Sequence, residues 1–97
     1  MVKYAILARV DAKPGKENEV EEFLKSALAL AQEETETVSW YALKLGPSTF
    51  GIFDTFNGED GRQAHLNGKI AAALMANADA LLSKPPVIDM VDLLAVK

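Results

Sequence analysis

The chain has no cysteine, so it can form no disulfide, thiolate nucleophile, iron–sulfur cluster or Cys-based zinc site. Its single histidine, His65, rules out a cluster of histidine ligands, and no Asp/Glu run has the loop spacing of a carboxylate calcium site. Positive charge is also scarce. Ten Lys plus Arg against fourteen Asp plus Glu leave a net charge of -4, which repels a phosphate backbone and makes nucleic acid an unexpected partner. The longest purely apolar run, Ile70 to Ala76, is too short to span a bilayer, so no membrane partner is expected. The first nine residues lack the long apolar stretch of a secretion signal, and a cytoplasmic location is expected.

What is present is the balance of an ordinary globular domain, 49% hydrophobic and 25% charged, and 97 residues suffice for one domain, 1-97. Val2 to Asp11 alternates as a strand does, with Val2, Tyr4, Ile6, Ala8 and Val10 on one face. Lys13-Pro14-Gly15-Lys16 breaks it. Val20, Phe23, Leu24, Ala27, Leu28 and Ala31 then keep helical spacing among Glu and Lys. Thr37 to Leu45 and Thr49 to Phe56, joined by Gly46-Pro47-Ser48, read as a hairpin. A short helix to about Leu66 follows, Asn67-Gly68 interrupts it, and a second helical stripe runs from Ile70 to Leu82. Pro85-Pro86 ends that helix, and Val87 to Val96 forms the last strand.

The order β-α-β-β-α-β predicts an α+β, ferredoxin-like antiparallel sheet with its helices on one face. The first and last strands, however, carry apolar residues on both sides. Val87, Val91 and Leu93 oppose Ile88, Met90 and Leu94, and Ala5 and Leu7 oppose Ile6 and Ala8. One helical layer cannot cover both faces, so a homodimer through the open sheet face, a dimeric α/β barrel, is expected.

Several pieces of the chain, in order, resemble the antibiotic biosynthesis monooxygenase family, which includes cofactor-independent quinol and polyketide monooxygenases. Lys13-Pro14-Gly15-Lys16-Glu17 is similar to the family's turn after the first strand. Trp40 takes the place of an aromatic that begins the second strand, Asp54 and Phe56 those of Glu and Trp on the third, and Ala64-His65-Leu66 matches Ala-His-Leu. The resemblance covers nearly the whole chain. It implies a dimeric α/β barrel, no cofactor, and oxidation of a small aromatic or quinol ligand. Some departures stand beside it. Glu36 replaces a common Gly, and Ile52 and Phe56 replace an Asn and a Trp that some monooxygenases place on the third strand. Ala8 stands where haem-degrading relatives have Asn, and alanines and Met75 where they have a later His, so neither haem nor metal is expected.

Such chemistry needs a base to ionise a hydroxyl, a donor or positive group for the resulting anion, and a dry cavity. His65 is the one side chain whose ordinary pKa lies near neutrality, and it is the candidate proton acceptor. In that role its truncation to Ala is expected to abolish most turnover and leave the dimer folded; it can equally be a partly exposed histidine on a helix packed against the sheet. Asp54, among apolar neighbours, orients His65, or lies at a sheet edge, or pairs with Arg62 or Lys69 as a surface ion pair. Trp40, Phe53, Phe56 and Ile52 are candidate pocket walls and Tyr4 a hydroxyl donor, although most aromatics in so small a domain are core. The acidic run Glu33-Glu34-Thr35-Glu36 reads as a solvated helix end. Two alternatives stay open: a ligand-binding barrel without turnover, and an isomerase on the same scaffold.

Overall fold

The computed structural model describes residues 2–97. Its elements run β1 (Tyr4–Asp11), α1 (Glu17–Ser26), α2 (Leu28–Glu33), β2 (Thr37–Lys44), β3 (Thr49–Phe56), α3 (Glu59–Leu66), α4 (Lys69–Leu81) and β4 (Val87–Asp92). The strands form one sheet in the order β2-β3-β1-β4, and every pairing is antiparallel. This is the ferredoxin-like α+β arrangement with its helices on one face.

The expected first helix is two helices. At Ala27 the amide is shared between the carbonyls of Phe23 and Leu24, each at 3.2 Å, and the Ser26 hydroxyl donates to the Phe23 carbonyl at 2.6 Å. A serine that occupies a helical carbonyl competes with the backbone ladder and bends the helix there. The bend lets both pieces follow the twisted sheet. Val20 and Leu24 from α1 and Ala31 from α2 reach the same core, with Ala27 between them.

Register assigns the faces. Trp40, Asp54, Ile6 and Met90 form one cross-strand row, and Ala42, Ile52, Ala8 and Ile88 the next, both on the helix side. Ala8, Val10, Phe50 and Ile52 meet Val20, Leu24, Ile70 and Leu74 in the core. The opposite face carries Tyr41, Phe53, Leu7 and Asp89 in one row, with Val91 and Val87 on either side of Asp89, and no helix packs on it. Tyr41 is 54% exposed there.

The last strand ends at Asp92, short of the expected Val96. The Leu93 amide still donates to the Lys3 carbonyl at 2.8 Å, just outside β1, which begins at Tyr4. No described helix is long and apolar enough to cross a membrane.

Candidate functional site

Alternation along β3 aims Asp54 at the helix side, between Ile52 and Phe56. β3 lies inside the sheet, so Asp54 is not an edge residue, and its side chain is 0% exposed. A carboxylate buried that deeply requires a positive partner. The partner is His65, whose Nε2 lies 2.8 Å from Asp54 Oδ2. Arg62, the alternative, instead pairs with Glu59 and donates from Nη1 to the carbonyls of Ala5 and Val91 at 3.3 and 3.2 Å.

The other ring nitrogen is engaged as well. His65 Nδ1 lies 2.7 Å from Glu34 Oε1, and the Thr37 hydroxyl donates to the same oxygen at 2.7 Å. The imidazole is therefore clamped between two carboxylates, with the Phe56 ring 5.5 Å away by centroids. It is 8% exposed, so the partly exposed surface histidine is not what the fold presents.

Burial alone would lower the His65 pKa. The hydrogen bonding and charge of Asp54, and then those of Glu34, outweigh it and raise the pKa from 6.5 to about 9. The ring is an imidazolium at neutral pH. It can accept a proton only as the pH approaches 9, and until then it is a fixed positive charge. Asp54 has no aligned hydrogen-bond donor on either oxygen among the described residues, so the imidazolium is its main compensation.

His65 and Glu34 face a cavity of about 350 Å³, lined also by Leu30, Glu36, Gly61, Ala64, Gly68 and Lys69. That volume lies at the lower end of small-molecule sites, which span roughly 300–1,000 Å³. A side chain on Gly61 would be tight at one wall of this cavity. A Cβ on Gly61 would stand 3.0 Å from Glu36 Cβ and 3.2 Å from the Glu36 carbonyl oxygen, so α3 packs closely against the entry to β2. Gly61→Ala is expected to destabilise the fold by about 1–3 kcal/mol despite alanine's better helix propensity, because Glu36 Cβ and the Glu36 carbonyl must both give way. By displacing the segment that carries Glu34, it should also move the His65 pKa down, as an NMR titration of the ring would read.

The other candidates lie elsewhere. Ile52 and Phe56 are buried and do not line this cavity. Trp40 is half-buried against the core and borders a separate surface hollow beside α2, which it shares with Glu34 and Thr37. Tyr4 lies under Arg62, with the guanidinium carbon 5.1 Å from its ring centroid. The structure thus brings His65 and Asp54 together and adds Glu34. Nothing in the sequence pointed to Glu34, whose run Glu33-Glu34-Thr35-Glu36 reads as a solvated helix end.

No protein-family model matches the chain, and no curated protein matches it in sequence. Among solved structures, a protein of unknown function from Nitrosomonas europaea is 62% identical and superposes with a TM-score of 0.97, over 100% of this chain and 94% of that one. Two others, each described as a "putative antibiotic biosynthesis monooxygenase", share the fold at low identity. The one from Nitrosomonas europaea is 13% identical, with a TM-score of 0.82 over 95% of this chain and 90% of its own. The one from Caulobacter crescentus is 15% identical, with a TM-score of 0.80 over 97% and 92%.

Proposed function

The chain belongs to the same family as the Nitrosomonas europaea protein of unknown function and has the fold of the antibiotic biosynthesis monooxygenase family, and from that premise we propose that it is a cofactor-independent monooxygenase acting on a small aromatic or quinol substrate. The observation that carries the reading is an acid–base histidine, held by the fully buried Asp54, at the wall of a small-molecule cavity. In this reaction a hydroquinone and dioxygen give a hydroxylated quinone and water. One oxygen atom enters the ring, the other leaves as water, and the substrate supplies the electrons.

The residues have definite roles in it. As an imidazolium, His65 stabilises the negative charge that grows on the ionising hydroxyl. As the neutral ring it takes up the proton indirectly, since both of its nitrogens face carboxylates. Asp54 fixes the ring's orientation and sets its basicity. The protein acts as a homodimer in the cytoplasm, the second copy covering Leu7, Tyr41 and Phe53. The test is oxygen uptake with a panel of hydroquinones in metal-free buffer. Uptake is expected, rising with pH toward about 9 as the neutral imidazole becomes available. A second reading, binding without turnover, draws on the engagement of both ring nitrogens by carboxylates. Bound hydroquinone with no uptake at any pH would establish it in place of the first.

A further inference from the structure

Both nitrogens of His65 are already engaged, so a ligand in the cavity cannot meet the ring directly. The cavity wall offers another acceptor. Glu34 spends Oε1 on two donors, the imidazole and the Thr37 hydroxyl. Its second oxygen, Oε2, meets no donor among the described residues. That oxygen lies 3.4 Å from where a Cβ on Gly68 would stand, and Gly68 itself lines the cavity. Glu34 as a whole is 21% exposed, so a ligand can reach it.

We propose that Glu34 is the ligand-contacting residue of this cavity: its free Oε2 accepts a hydrogen bond from the hydroxyl of an uncharged aromatic ligand, while Oε1 links that ligand to His65. This rests on the functional reading above and names the group that reading leaves open. The charge of the lining narrows the ligand class. Glu33, Glu34 and Glu36 surround the cavity, and the one lysine in the lining, Lys69, lies 4.0 Å from Glu33. A carboxylate or phosphate on the ligand would face this acidic wall, whereas a neutral phenol presents a donor and no charge. Thr37 and the imidazolium hold the Glu34 carboxylate in place before the ligand arrives, so little ordering is needed on binding.

The test uses phenol, hydroquinone and 1-naphthol as probes, with 1,4-dimethoxybenzene as the analogue that lacks a donor and 4-hydroxybenzoate as the anionic one. Binding is followed by two-dimensional NMR on the wild type and on Glu34→Gln, which keeps the side chain's shape and an oxygen for Nδ1. The hydroxyl probes are expected to shift resonances of Gly61, Ala64, His65 and Gly68, and Glu34→Gln should weaken them about tenfold. The dimethoxy analogue should bind the two proteins equally, a comparison that a merely structural role for Glu34 would not produce. 4-Hydroxybenzoate should bind more weakly than phenol.

Equal affinity of the hydroxyl probes for both proteins, tighter binding of 4-hydroxybenzoate, or no shift with any probe at 10 mM would overturn the inference. Oxygen uptake separates it from the functional reading. Glu34-dependent binding without uptake leaves the inference standing and removes the oxygenase. Uptake unchanged in KM and kcat by Glu34→Gln does the reverse.

Discussion

His65→Ala should lower the folding free energy by about 3–5 kcal/mol at pH 7, the usual loss when one partner of a buried ion pair is removed. The loss would come less from the imidazole's packing than from Asp54, which is 0% exposed and would be left as an unpaired carboxylate. A helix-surface truncation would cost far less, so urea unfolding distinguishes the two situations. A loss below 1 kcal/mol would show that Asp54 does not depend on the ring. The double variant Asp54→Leu/His65→Ala should recover part of the stability, because it removes the stranded charge along with its partner.

The same pair makes stability depend on pH in a definite direction. The His65 pKa is raised on folding from 6.5 to about 9, so the folded state binds the proton more tightly than the unfolded chain. The resulting stabilisation is fully present below pH 6.5, shrinks as the pH rises, and is gone above about 9. At about 1.4 kcal/mol per pKa unit it amounts to roughly 3 kcal/mol. The urea midpoint of the wild type should therefore fall between pH 6.5 and 9.5, and that of His65→Ala should stay nearly level.

Phe53→Asp should raise the dissociation constant of the dimer at least about 30-fold, the equivalent of losing one hot-spot residue worth about 2 kcal/mol. Phe53 is the middle of the row Tyr41, Phe53 and Leu7 on the face without helices. A charge there would be buried between two sheets in the dimer, whereas in a monomer it would keep access to water. Sedimentation equilibrium should show wild-type dimer at micromolar concentration and a shift toward monomer in the variant. The monomer should keep its fold, because Phe53 lies on the opposite side of the sheet from the core formed by Phe50 and Ile52. A wild type that sediments only as monomer would remove the barrel.

The candidate site was only partly legible in the sequence. The family resemblance and the near-neutral pKa of histidine pointed to His65, and alternation placed Asp54 among Ile52 and Phe56. Neither cue could say that the two side chains meet, because they are separated by a strand end, a loop and most of α3. Glu34 was harder to find. In a run such as Glu33-Glu34-Thr35-Glu36, a solvated acid and a half-buried one held against α3 read alike, and what separates them is the nearness of α3 through Gly61. The pocket walls differed for a similar reason. Ile52 and Phe56 share a face with Asp54, but that face is filled core, and the cavity opens to one side of it.

The sequence by itself determined the element types, their order and the antiparallel ferredoxin-like sheet, because period-two and helical apolar spacing, with Gly and Pro between them, are local properties. It also determined that one histidine must serve for any near-neutral acid–base chemistry. Tertiary structure alone decided which charges meet. The burial of Asp54 makes an imidazolium the stable form of His65, and the close approach of α3 to the start of β2 brings Glu34 to its other nitrogen. A pKa near 9 is a property of that assembled trio, set by low dielectric and distances under 3 Å, and no single residue in the chain carries it.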